Sequence, residues 1–155
     1  VDAGMSVTLM RNFIKCSVAE ICRARGLFNP ESFKQCKVVD QARFTFADTC
    51  PDAKAAVECL ERGVFSALSR QYLRELAVVV LAADRVTVLE SFVFAFTYRG
   101  GDVHLKPPCG PVTHDKVKVS FVEALEALVK HVEKLPPLPP GACFTFRLTY
   151  YDERC

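Results

Sequence analysis

Apolar positions recur at helical spacing from near the start of the chain. Val7, Met10, Ile14, Val18 and Ile21 share one face of a helix expected from about Met5 to Ala24. Leu9, Phe13 and Cys16 widen that face well beyond a narrow stripe, so the helix is expected to be covered on more than one side. Gly26 stops it, because glycine takes a left-handed cap at little cost. Asn29-Pro30-Glu31 then reads as the start of one short helical turn. Residues 34 to 50 read as irregular, with a strand-like run at Arg43 to Phe46. Asp48, Thr49 and Pro51 open a second helix, from Pro51 to about Gln71, with Val57, Leu60, Val64 and Leu68 as its buried stripe.

The period then changes. Leu76 to Leu81 reads LAVVVL, apolar on both faces, as a central strand covered on both sides would be. After a short link at Ala83-Asp84-Arg85, the run from Val86 to Tyr98 alternates, with Phe92, Phe94, Phe96 and Tyr98 on one face. The short link makes these two strands an antiparallel hairpin. Arg99 to Pro111, rich in glycine and proline, reads as a loop. A third, amphipathic helix is expected from about His114 to Leu135, with Thr113 as its N-cap. Leu125, Leu128, Val132 and Leu135 lie on its apolar side, and Glu123, Lys130 and Glu133 on its charged side. Leu135-Pro136-Pro137-Leu138-Pro139-Pro140-Gly141 ends that helix, since proline cannot continue it. The run can be read as a proline-rich ligand for a small recognition domain, but a stiff connector explains it better. The last strand, Cys143 to Tyr151, alternates Phe144, Phe146, Leu148 and Tyr150 against Thr145, Arg147, Thr149 and Tyr151. Helices gathered over an antiparallel sheet make an α+β fold, in one domain spanning all 155 residues.

Composition narrows the function classes. A net charge of +2 argues for neither a nucleic acid nor an anionic membrane as partner. Lys54, Arg70 and Arg74 make no continuous basic stripe, which leaves direct DNA contact as a weaker alternative. No window is apolar enough to span a bilayer, and no basic-then-apolar leader opens the chain, so an intracellular protein is expected. The eight cysteines include no C-x-x-C pair, and most read as buried thiols in a reducing compartment, with disulfides or a metal as the lesser alternative. His104 lies near Cys109, which makes a Cys–His nucleophile pair conceivable. No orienting third group stands at a recognisable spacing, and no phosphate-binding glycine loop is present. No cofactor is expected, and an enzyme is not.

Three stretches carry a resemblance. They are the first helix with RGLFNPESF (Arg25 to Phe33), LESFVFAFTY (Leu89 to Tyr98), and LPPLPPGACFTFRLTYYDE (Leu135 to Glu153). In order and over nearly the whole chain they resemble the HORMA domain family, and in the third stretch its meiotic chromosome-axis branch. The resemblance implies three helices packed on an antiparallel sheet, followed by a mobile C-terminal safety belt that traps partner peptides called closure motifs. The belt should follow the last strand; the chain ends at Cys155, so a belt-less or truncated core is expected, with weak and reversible peptide binding. The peptide would add as a strand beside Phe144, Thr145, Phe146, Arg147, Leu148, Thr149, Tyr150 and Tyr151. A proline at Arg147 would block this if that residue's N–H faces the peptide. The resemblance also implies an AAA+ ATPase with an adaptor, engaging Val1, Asp2, Ala3, Gly4, Met5 and Ser6 to open the domain. It places the protein in the nucleus, on chromosomes, holding closure motifs of axis proteins or of its own missing C-terminal region, in support of axis assembly, recombination and synapsis. The spindle-checkpoint and translesion-polymerase branches are the alternatives within the family. A thiol-dependent enzyme is the alternative of another class.

Overall fold

The computed structural model describes residues 4–38, 41–47, 50–100, 102–106 and 117–151. The chain begins with a two-residue strand, β1 (Gly4–Met5), and a long helix, α1 (Val7–Ala24). Ser6 caps the helix, its hydroxyl accepting from the Leu9 N–H at 3.2 Å. Gly26 ends it with a positive φ of 65°. A short turn at Pro30–Ser32 leads to a hairpin of β2 (Phe33–Val38) and β3 (Gln41–Phe46). Then α2 (Pro51–Cys59) passes through one π-helical stretch, Leu60–Val64, into α3 (Phe65–Ser69), so that 51–69 is one helical rod. The remaining elements are β4 (Leu73–Leu81), β5 (Val88–Arg99), β6 (Asp102–Lys106), α4 (Val117–Glu133) and β7 (Cys143–Tyr150).

Five strands form one antiparallel sheet in the order β1-β6-β5-β4-β7. Three helical rods, α1, α2–α3 and α4, lie on one face of it, and the β2–β3 hairpin packs beyond α1. The strand period decides which residues meet the helices. Leu76, Val78 and Val80 of β4 stand beside Phe94, Phe92 and Glu90 of β5, and beside Leu148, Phe146 and Phe144 of β7. The three core residues of β4 and the two phenylalanines of β5 are at most 3% exposed.

The middle layer explains the wide apolar face of α1. Met10, Phe13, Ile14, Val18, Ile21 and Cys22 are fully buried, and so is the carboxylate side chain of Glu20. Glu20 faces the hairpin, where it accepts from the Phe44 N–H at 3.1 Å and from Arg23 at 3.0 Å. The Arg23 guanidinium lies 4.3 Å over the Phe44 ring.

Two expectations need correction. Residues 34 to 50 are not irregular: they carry most of the β2–β3 hairpin, whose FKQCKV strand has no clean alternation of apolar and polar residues to announce it. Arg99 to Pro111 is not wholly loop, since Asp102–Lys106 forms β6. Of Asp102 to Leu105, only Val103 is fully buried. The expected N-cap at Thr113 and the start at His114 lie outside the described residues.

The three ends of α1, β5 and α4 meet at one ion pair. Arg25 donates to both carboxylate oxygens of Glu90, at 2.8 and 2.6 Å, and to the backbone carbonyls of Leu135 and Pro136, at 3.4 and 2.6 Å. The Arg25 side chain is only 3% exposed. Removing one partner of such a pair leaves a buried charge uncompensated, which costs about 3–5 kcal/mol. Arg25→Ala is therefore expected to lower unfolding stability by about that amount in urea titration. A midpoint unchanged from the parent chain would refute the bracing role.

Candidate functional site

β7 ends the sheet. β4 holds one side of it, and among the described residues no strand pairs with the other. Its side chains divide as the alternation requires. Phe144, Phe146 and Leu148 face the helices and are half-buried, while Thr145, Arg147 and Thr149 are exposed on the opposite face. Tyr150 is exposed at the strand's end.

The backbone direction follows from one bond. The Tyr151 N–H donates to the Tyr72 carbonyl at 2.9 Å, facing β4. Antiparallel strands alternate residues that bond inward with residues whose N–H and C=O point away. Counting back, Thr149, Arg147 and Thr145 bond to β4, and Phe144, Phe146, Leu148 and Tyr150 present donors and acceptors to the open edge. The Arg147 N–H thus belongs to the internal ladder. A proline there would cut the β4–β7 pairing instead of blocking an added strand.

Both ends of β7 are tied down by aromatic residues. At its start, Phe144 meets Phe28 edge-on at 5.4 Å, and Phe28 also contacts Phe33 and Phe46 of the hairpin. At its end, all four tyrosines of the chain gather. The β4 register slips between Leu73 and Glu75, and the β4–β5 pairing stops at Glu75 and Ala95. Two hydroxyls fill the gap: Tyr98 donates to the Leu73 carbonyl at 2.7 Å, and Tyr151 to the Phe96 carbonyl at 2.6 Å. Burial, and then the neighbouring Tyr151, hold the Tyr98 phenol above its ordinary range, so it stays a donor. Tyr72 and Tyr150 lie beside them, their rings tilted and 5.3 Å apart. Alternation marks Tyr98, Tyr150 and Tyr151 in the sequence, whereas Phe28 and Tyr72 sit outside any regular period.

A groove of about 330 Å³ lies between α2 and the first half of β7. Phe28, Ala55, Ala56, Cys59, Phe144 and Phe146 line its apolar part, with Asp52 at the same site. The helix comes close only farther along, where Gly63 lies against Leu148: a Cβ there would stand 3.4 Å from the Leu148 Cδ1.

The N-terminal site residues are partly placed. Val1, Asp2 and Ala3 lie outside the described residues. Gly4 and Met5 form β1, paired with His104 and Val103 of β6, and Ser6 caps α1. This segment and β7 therefore occupy opposite edges of one sheet. His104 stands in a strand and not in a loop, with its Nδ1 buried and unpartnered, and Cys109 lies outside the described residues. Among the described residues no three His, Cys, Asp or Glu side chains are grouped to hold a metal, and no helix is long and apolar enough to cross a membrane.

The thiols divide by environment. Among the described residues Cys16 and Cys22 are buried, Cys50 and Cys143 half-buried, and Cys59 exposed. Desolvation pushes the Cys22 thiol up to about 12, which keeps it from the reactive thiolate form at neutral pH. Iodoacetamide should label Cys59 in the native protein and reach Cys22 only on denaturation, as read by peptide mass mapping. Native labelling of Cys22 would contradict its burial. A second outcome concerns the tyrosine anchor. Tyr151→Phe keeps the ring and removes the donor, so a loss of about 1 kcal/mol is expected by urea denaturation. An unchanged midpoint would show that the hydroxyl contributes nothing.

With this geometry in place, comparison with known proteins is direct. The HORMA domain family profile matches residues 6–155. The chain belongs to the HORMA domain family. Its similar curated relatives include HORMA domain-containing protein 1 of Danio rerio, 27% identical over 158 residues. The human protein of the same name is 28% identical over 160 residues. Each alignment covers 96% of this chain but only 44% and 40% of the relative, so the chain spans less than half the length of these relatives. Among solved structures, C. elegans HTP-2 bound to an HTP-3 closure motif aligns with a TM-score of 0.76 at 21% identity, over 95% of this chain and 66% of that one. C. elegans HTP-1 bound to the HIM-3 closure motif gives 0.77 at 17% identity, over 95% and 70%. A chain of the mitotic checkpoint complex gives 0.75 at 14% identity, over 94% and 74%. The HORMA core expected from the sequence, three helices over an antiparallel sheet, is the fold observed.

Proposed function

We propose that this HORMA domain is a peptide-holding adaptor of the meiotic chromosome axis, and that closure-motif peptides of axis proteins add as a further strand to the outer edge of β7. The observation that carries this reading is the row of outward-facing backbone groups at Phe144, Phe146, Leu148 and Tyr150, on a strand fixed at both ends. An extended peptide gains affinity from such a row without sequence selection, and gains selection from pockets for alternate side chains. The groove between α2 and β7 offers one pocket, on the helical side and apolar, where a peptide side chain lies beside Phe144 and Phe146. That C. elegans HTP-1 and HTP-2, which share this fold, are bound to closure motifs supports a peptide of that kind as the ligand. The choice of the meiotic branch over the spindle-checkpoint and translesion-polymerase branches rests on the LPPLPP and TYYDE residues of the third stretch.

The same reading makes the chain a nuclear, chromosome-bound adaptor and not an enzyme. An AAA+ ATPase with its adaptor would engage Val1 to Ser6. Pulling there first breaks the two pairs of β1 with β6 and then unwinds the capped start of α1, at the edge opposite the peptide.

The test compares Leu148→Pro with Leu148→Ala against an array of closure-motif peptides. Both variants lose the leucine side chain, and only proline also loses the outward N–H. Proline is tolerated on an edge strand where its missing donor faces solvent, so the fold should persist in circular dichroism. Leu148→Pro is expected to bind at least tenfold more weakly than Leu148→Ala. Equal affinities would place the peptide on another surface.

A further inference from the structure

The run between α4 and β7 does more than join them. We propose that Lys134 to Pro140 is a preformed docking ridge for an SH3-type domain, one that reads a basic residue followed by two prolines at three-residue spacing.

The backbone is set by the residues themselves. Proline holds φ near −65°, and any residue before proline is confined to extended or polyproline II geometry. Pro136, Pro137, Pro139 and Pro140 meet the first condition, and Leu135, Pro136, Leu138 and Pro139 the second. No helix or strand interrupts 136–139. A polyproline II helix has three residues per turn, hence three ridges. Burial along the segment follows that period. Leu135 and Leu138 are half-buried against the core, whereas Pro136, Pro137, Pro139 and Pro140 are all exposed. One ridge therefore lies on the domain, and the other two, Pro136 with Pro139 and Pro137 with Pro140, face outward. Aromatic-lined grooves of proline-recognising domains grip two adjacent ridges of this kind.

The ends of the run are fixed. Arg25 holds the carbonyls of Leu135 and Pro136. Gly141 has φ +80° and sits so close to the β4–β5 turn that a Cβ would stand 2.9 Å from the Ala83 Cβ. A cleft of about 460 Å³ between the run and the end of α1 keeps one flank of the prolines open. Pro136 to Pro140 are thus held in place, which reduces the ordering cost that a flexible ligand pays, while Lys134 stands in the turn that closes α4, its N–H donating to the His131 carbonyl. The choice among proline-recognising domains rests on Lys134. It is exposed and stands three residues before Pro137, so Lys134, Pro137 and Pro140 form a basic-x-x-Pro-x-x-Pro series. An acidic pocket beside the aromatic groove would take the ammonium.

The experiment titrates purified SH3, WW and EVH1 domains, arrayed as panels, against the folded chain and against a peptide of residues 133–141. At least one SH3 domain is expected to bind the folded chain as tightly as the peptide or more tightly. Pro137→Ala/Pro140→Ala should weaken that binding at least tenfold, and Lys134→Glu, which leaves the backbone unchanged, at least threefold, with thermal melting unaffected in both. Binding by the peptide alone would show that the fold hides the ridge and would overturn the proposal. So would binding to no SH3 domain, binding only to WW or EVH1 domains, or indifference to Lys134→Glu.

Discussion

The buried pair between Arg25 and Glu90 is the constraint on which the rest of the fold turns. Glu90 lies on the helix-facing side of β5, opposite Val80 and in line with Phe144, where an unpaired carboxylate would be costly. Arg25 stands at the C-terminal cap of α1, where a cation also suits the helix dipole. Its planar fork reaches both carboxylate oxygens and two backbone carbonyls beyond α4 at once, as a lysine could not. One side chain therefore fixes where α1 stops, where β5 begins and where the chain turns towards β7.

That bracing positions the edge strand. The Leu135 and Pro136 carbonyls are held, the prolines that follow permit little freedom, and β7 starts at a defined place beside β4. Phe28, just past the cap that Arg25 makes, then reaches the first phenylalanine of β7. At the other end the tyrosines stand in for the ladder bonds that the slip at Arg74 removes. Each anchor acts on the strand's ends or its helical side. None uses the outward N–H and C=O groups.

Most of this was legible in the sequence where burial is one-sided and regular. The alternation of Phe92, Phe94 and Phe96 gave β5, and the apolar face of Met10 to Ile21 gave a helix covered on two sides. The π-helical stretch at 60–64 escaped notice because Leu60, Val64 and Leu68 keep helical spacing through it. β2 and β6 are not legible because neither FKQCKV nor DVHLK alternates apolar with polar residues over enough positions to show a strand period. β7 is the last strand of the sheet, but which of its residues face outward depends on the strand's bonding phase. Side-chain alternation alone is silent on that phase, and the bond from Tyr151 to Tyr72 supplies it.

The two edges of the sheet are treated differently, and the difference bears on function. At one edge β1 pairs through only two residues, Gly4 and Met5, and a strand so short offers little to a further chain. At the other, β7 runs for eight residues with helix-facing side chains only half-buried and a groove alongside. A long open edge invites unwanted pairing, and natural sheets usually blunt one with charge, proline or a covering loop. Within β7 the only charge is Arg147, and it stands on the face of the sheet, off the line of the edge. The prolines stop at Pro140, before the strand begins. An edge without a strand partner among the described residues, and anchored at both ends, suits the added strand proposed above.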